Sequence, residues 1–280
     1  METDMLKMNE QTMMSQAGRK LLEGRTAIVT GSTSGIGLGI ASAYAQAGAA
    51  VMLNGFGNPE EIEAARAALA DDNDVDVGYD PADMSDPAAI RLMVERAVKR
   101  FGQVEIVVNN AGIQHVAPIE EFPVAKWDAI MAINLSSAFH LTQATFAGMR
   151  SRRFGRIINM SSAHGMIGSP FKSAYVAAKH GIIGLTKVTA LEGAEDNVTC
   201  NAICPGYVWT PLVEQQIEGQ AKSHNISRNE VIREVFLKDQ PTRRFATIEE
   251  VAALSVFLAS DAAGSITGTA LPVDGGWTAH

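Results

Sequence analysis

Seven short apolar runs recur along the chain, and helix-like segments separate them. The runs are RTAIVTG (Arg25–Gly31), AVMLNGFG (Ala50–Gly57), DVDVGYD (Asp74–Asp80), VEIVVNNAG (Val104–Gly112), GRIINMSS (Gly155–Ser162), NVTCNAICPG (Asn197–Gly206) and ALPVDGG (Ala270–Gly276). Most are near-continuous stretches of β-branched and aliphatic residues, as expected of strands buried on both faces. Parallel strands need long crossovers, and the intervening helical segments supply them. Strand–helix alternation of this kind predicts an α/β protein with a parallel sheet and helices on both faces.

The helices carry their own start signals. Asn58 followed by Pro59 reads as an N-cap with proline in the first turn, and Asp86 with Pro87 repeats the pattern. Thr247 and Glu250 have capping-box spacing. Longer helical segments are expected over about 126–149 and 172–195, and a polar helical insertion over about 210–240, a candidate lid.

The chain has 280 residues, 46% of them hydrophobic, enough for a large core. No linker or internal repeat divides it, so one domain is expected over 24–280, with 1–23 as an N-terminal extension. That extension has no apolar run of the signal-peptide kind, and no stretch of the chain is apolar enough to span a membrane, which points to a cytoplasmic protein. A net charge of −8 argues against nucleic acid or anionic membranes as partners. Cys200 and Cys204 in one strand would lie ~13 Å apart, too far for a disulfide or a shared metal, and no metal is expected.

TGSTSGIG (Thr30–Gly37) places Gly31, Gly35 and Gly37 between the first strand and the first helix. Glycines there allow a tight turn and close backbone approach, and the helix N-terminus favours a pyrophosphate. NNAG (Asn109–Gly112) and CPG (Cys204–Gly206) close two other runs, where an open parallel sheet forms its ligand crevice. The fold class is therefore a single-domain, Rossmann-type, doubly wound seven-stranded parallel sheet.

TGSTSGIG, NNAG, Asn159–Ser161, YVAAK (Tyr175–Lys179) and Pro205–Gly206, in this order, resemble the short-chain dehydrogenase/reductase family over roughly 24–277. The resemblance implies a nicotinamide dinucleotide held by Gly31, Thr33, Ser34, Gly35, Ile36, Gly37, Phe56, Asp83, Met84, Asn110, Ala111, Gly112, Tyr175, Lys179, Pro205, Gly206, Val208 and Thr210. It implies Asn134, Ser162, Tyr175 and Lys179 as the catalytic set, with Asn134 helping to hold a water and also bonding backbone. Tyr175 and Lys179 share one helical face. A phenol titrates near pH ~10. A neighbouring ammonium and a positive nicotinamide ring would both favour phenolate, making Tyr175 a general base. Ser162 would hold the substrate oxygen, with Ser161 its competitor.

The position where NAD-dependent relatives carry an acid falls within Leu53–Gly57, which has none, and no Arg or Lys stands nearby for a 2′-phosphate, so charge alone leaves NAD and NADP open. GIQHVAPIEEFP, SSAHG, KSAYVAAKHG and CNAICPG are similar to the branch of the family that acts on 3-hydroxybutyrate. That likeness implies NAD, a homotetramer and reversible oxidation of D-3-hydroxybutyrate to acetoacetate. It also implies that Gln114, His164, Lys172 and Gln216 (or Gln215, in another helix register) grip the substrate carboxylate. Tyr207 and Trp277 would wall its methyl group, although Tyr207 stands where that branch often has Trp. Reduction of another small 3-oxoacid or of a 3-oxoacyl thioester, and a non-catalytic dinucleotide-binding protein on the same fold, are the alternatives.

Overall fold

The computed structural model describes residues 20–224 and 227–279. Each apolar run contains a strand: β1 Thr26–Val29, β2 Ala50–Asn54, β3 Val77–Asp80, β4 Ile106–Asn109, β5 Gly155–Met160, β6 Val198–Pro205 and β7 Ala270–Val273. They form one parallel sheet in the order β3-β2-β1-β4-β5-β6-β7. The order reverses direction between β1 and β4, so the carboxyl ends of those strands open a crevice.

Between the strands lie α1 Gly35–Gln46, α2 Pro59–Asn73, α3 Pro87–Phe101, α4 Val124–Met131, α5 Ser137–Arg152, α6 Ser173–Gly193, α7 Pro211–His224, α8 Arg228–Val231 and α9 Ile248–Ala259. Alternate strand residues feed different cores. Ala27, Val29, Ile106 and Val108 join Ile40 and Tyr44 of α1 and Val251 and Leu258 of α9. Ile28 and Val107 join Ile90 and Met93 of α3 and Leu141 and Met149 of α5. Both faces are covered, which is why the strands read as unbroken apolar runs. The expected caps form: Asn58 accepts from the N–H groups of Glu60 and Glu61, Asp86 from Ala88, and Thr247 with Glu250 makes a full capping box.

Two segments differ from expectation. The helix expected over 126–149 is split into α4 and α5 by a π-helical turn, Ala132–Ser136, which carries Asn134. The insertion over 210–240 is polar outside but has its own core of Ile217, Val231, Phe236 and Leu237, against which Tyr207 packs. Cys200 and Cys204 are buried and free in β6. The expected extension lies almost wholly outside the described residues, as does the Gln215 side chain. Among the described residues no helix is long and apolar enough to cross a membrane, and no cluster of metal-ligating side chains occurs.

Candidate active site

The carboxyl ends of β1, β2 and β4 surround a cleft of about 490 Å³. Gly31, Thr33, Ser34, Gly35, Ile36, Gly37, Phe56, Asp83, Met84, Asn110, Ala111, Gly112 and Thr210 line it. Pro205 and Gly206 lie at the end of β6, and Val208 is buried with its backbone bridging Ala246; these three are not on that lining.

Sequence reasoning passed over Asn54, which also lines the cleft. Its Oδ1 accepts from Gly31 N–H at 3.3 Å, and its Nδ2 donates to the carbonyls of Asp80 at 3.1 Å and Ala82 at 2.9 Å. One buried amide thus ties three strand ends together. A polar residue closing an otherwise apolar run is the signal that could have found it. On the other side, Asn110 Nδ2 donates to the carbonyls of Thr30 at 2.9 Å and Gly31 at 3.0 Å. Thr30 Oγ1 accepts from the N–H groups of Asn110 and Ala111, each at 3.0 Å.

The turn fits a pyrophosphate. Ser34 precedes α1 without making a side-chain cap, which leaves the first-turn N–H groups to the cleft. Gly35 has φ +56°, and a Cβ there would meet nothing within 4 Å. The phosphate-sized space is therefore kept by a residue without a side chain. Asp83 lines the cleft while its Oδ1 accepts from the N–H and Oγ of Ser85, both at 2.8 Å, so it is a turn-former as well.

The residues expected to do the chemistry are not on that lining. Ser162 follows β5, and its hydroxyl bonds the phenol of Tyr175 and accepts from His164 N–H at 3.2 Å. Ser161 is committed elsewhere: its Oγ donates to Lys179 C=O at 2.9 Å. Lys179 Nζ lies 5.6 Å from the Tyr175 ring centre and donates to Met160 C=O at 2.5 Å. Burial lowers Lys179 to about 8. Burial also raises the Tyr175 phenol, the Ser162 hydrogen bond opposes this, and Tyr207 adds to the rise. The expected lowering of the phenol by its lysine neighbour does not appear in the free protein, where burial sets the direction. Asn134 is buried; its Oδ1 accepts from Ile113 N–H at 2.8 Å and its Nδ2 donates to Ile113 C=O at 2.9 Å. The side chain pins the cleft wall, and the π-helical turn is what presents it.

Five of the expected substrate groups come together. His164 faces Trp277 edge-on at 5.0 Å and Tyr175 at 6.3 Å between ring centres. Trp277 stacks on Tyr207 at 5.4 Å with 16° between planes, and Lys172 Nζ lies 6.0 Å from the Tyr207 ring centre. Lys172 precedes α6 in a non-helical conformation. Burial lowers its pKa. Burial, and then the charge of Lys172, lower His164 to about 4. At neutral pH His164 is therefore a neutral hydrogen-bonding group beside a cation. Gln114 and Gln216 are exposed, the latter on α7.

A doubly wound sheet with a glycine turn and a cleft at its switch point defines a dinucleotide-binding fold, and the family match below makes it a nicotinamide-dependent oxidoreductase. The chain belongs to the short-chain dehydrogenase/reductase family. The family model described as enoyl-(acyl carrier protein) reductase matches residues 31–278. The chain is 55% identical over 256 residues to a D-beta-hydroxybutyrate dehydrogenase of Rhizobium meliloti (strain 1021), covering 91% of this chain and 99% of the relative. It is 54% identical over 261 residues to a protein of the same name from Cupriavidus necator, covering 93% and 100%. A solved structure from Agrobacterium tumefaciens, whose description proposes a gluconate dehydrogenase, superposes with a TM-score of 0.84 at 30% identity, covering 94% of this chain and 99% of that one.

Proposed function

We propose that the protein catalyses the reversible, NAD-dependent oxidation of D-3-hydroxybutyrate to acetoacetate. The observation that carries this reading is the grouping of Lys172 and neutral His164 with the Tyr207–Trp277 stack beside Tyr175. A small carboxylate fits a cation and a neutral donor, and a methyl group fits the aromatic wall. The names of the relatives from Rhizobium meliloti and Cupriavidus necator support the same substrate. NAD is favoured because, among the described residues, the cleft lining holds Asp83 and no cation that could pair with a 2′-phosphate.

A nicotinamide ring held in the cleft would supply the acceptor for the hydride that leaves C3. Tyr175 takes the hydroxyl proton, and Ser162 holds the substrate oxygen as its carbonyl forms. Lys179 would hold the nicotinamide ribose and favour the phenolate. Lys172 and His164 hold the carboxylate, with Gln114 and Gln216 completing the grip at the mouth. Asn134 holds the Ile113 segment of the wall, which orients the ring pocket.

Absorbance of the reduced nicotinamide tests this with NAD or NADP, D- or L-3-hydroxybutyrate, and acetoacetyl thioesters. Turnover is expected with NAD and the D-isomer. Tyr175→Phe is expected to cut kcat by ~10²–10⁴. Lys172→Ala is expected to raise the substrate KM by roughly 10–100-fold while leaving dinucleotide affinity alone. Reduction of the thioester alone would overturn the carboxylate pocket.

A further inference from the structure

The geometry points to Gln240 as a positioning residue that sets the substrate pocket by holding Tyr207. Gln240 ends the insertion, and its side chain is fully buried. Oε1 accepts from Tyr207 N–H at 2.6 Å, and Nε2 donates to Arg244 C=O at 2.8 Å. The space is tight: a Cβ on Gly206 would lie 2.6 Å from Gln240 Oε1 and 3.0 Å from Asp274 Cα. The amide therefore fills the gap between the Gly206–Tyr207 corner and the loop after β7.

That loop carries Trp277. Asp274 shapes it, accepting from Gly276 N–H at 3.0 Å and from the N–H and Oγ1 of Thr278 at 2.8 and 2.6 Å. Tyr207 is stacked on Trp277, and Trp277 also meets His164 edge-on. A displaced Tyr207 would carry the aromatic wall away from His164 and Lys172, while the dinucleotide cleft does not include Gln240.

The chemistry calls for glutamine. Its planar amide offers an acceptor and a donor side by side, and both backbone partners need one. A glutamate of the same shape keeps the acceptor but, when ionised, faces the Arg244 carbonyl without a proton. Protonated, it regains both roles, and burial favours that form. Of the charged groups nearby, Asp274 is engaged in its own loop, Arg243 donates to Leu237 C=O at 3.2 Å, Arg244 pairs with Glu250 at 2.7 Å, and Asp239 acts on Tyr207.

The inference rests on the carboxylate pocket proposed above. Steady-state kinetics with NAD and D-3-hydroxybutyrate are compared for the unsubstituted chain, Gln240→Glu and Gln240→Leu, and dinucleotide affinity is measured without substrate. Gln240→Leu is expected to raise the substrate KM roughly tenfold, with kcat and dinucleotide affinity within about twofold. Gln240→Glu is expected to show a raised KM near pH ~8 that returns toward the unsubstituted value near pH ~6. An unchanged KM, a pH-independent loss, or a parallel loss of dinucleotide affinity would overturn it. In a Trp127→Phe/Trp209→Phe background, Trp277 emission reports the stack without substrate. It is expected to shift in Gln240→Glu and to recover on acidification; no shift would overturn the inference even if the leucine variant does not fold. Lack of turnover by the unsubstituted chain would overturn the proposed reaction instead, while this emission still decides the role of Gln240.

Discussion

At the scale of single residues, buried polar side chains decide the site. His164 is 6% exposed and its pKa lies at about 4, against ~6.5 in an unfolded chain. Between those values the unfolded chain takes up a proton that the folded one refuses. Stability from this group is therefore complete above pH ~6.5 and lost as pH falls through ~4, by about 3 kcal/mol at most. His164→Asn is expected to show a shallower loss of stability between pH ~7 and ~4.5 than the unsubstituted chain, measured by urea unfolding. Identical slopes would mean that His164 titrates normally. Asn54, Asn134 and Gln240 work through paired acceptor and donor groups that serve backbone, and each fixes a segment on which another residue acts. Apart from Arg244, four residues from Gln240, their partners lie 21 to 33 residues away, beyond the reach of any local pattern. Sequence reading therefore found Asn134 by family likeness and missed the other two.

At the scale of elements, the β1–α1 turn shows two glycines with different duties. A Cβ on Gly37 would lie 2.2 Å from Gly31 O and 2.5 Å from Asn110 Nδ2. A Cβ on Gly35 would meet no protein atom, but the residue sits at φ +56°. Gly37→Ala is expected to cost more stability, about 2–3 kcal/mol, because backbone must move. Gly35→Ala is expected to cost about 1 kcal/mol from left-handed strain, and to weaken dinucleotide binding because the methyl enters the cleft. Thermal unfolding and dinucleotide titration of both variants separate the two effects; a larger stability loss in Gly35→Ala would contradict this assignment. The π-helical turn between α4 and α5 was not legible, since nothing in the local spacing of Ala132–Ser136 distinguishes it from α-helix. Within it the Asn134 amide bonds both backbone groups of Ile113 across the fold, a contact that no local pattern reports.

At the scale of the whole molecule, the two ends of the sheet have separate tasks. The carboxyl ends carry the cleft and the proposed chemistry. At the amino ends, Arg156 is 1% exposed and donates to the carbonyls of Gly155 at 2.9 Å, Asn197 at 2.9 Å and Ser260 at 3.4 Å. The Phe154 ring lies against both Arg156 and Arg25, with guanidinium carbons 4.3 and 3.5 Å from its centre. Arg156→Leu leaves buried carbonyls without donors and is expected to cost about 2–4 kcal/mol of stability. Substrate KM and dinucleotide affinity are expected to hold within about twofold, because the site lies at the opposite end. A selective loss of activity in a stable Arg156→Leu variant would refute that separation.

The amino-acid sequence alone determined the α/β class, the number of strands, the caps at Asn58, Asp86 and Thr247, and the glycine turn. Those are local matters, set by hydrophobic period, backbone freedom and hydrogen bonds within a few residues. Tertiary structure alone decided which polar groups meet: Lys172 and Trp277 with Tyr207, Asn54 with three strand ends, Gln240 with Tyr207. It also decided that burial, not the neighbouring ammonium, governs the Tyr175 phenol in the free protein. Burial and electrostatic environment depend on every element packed around a group, and no stretch of sequence carries that information by itself.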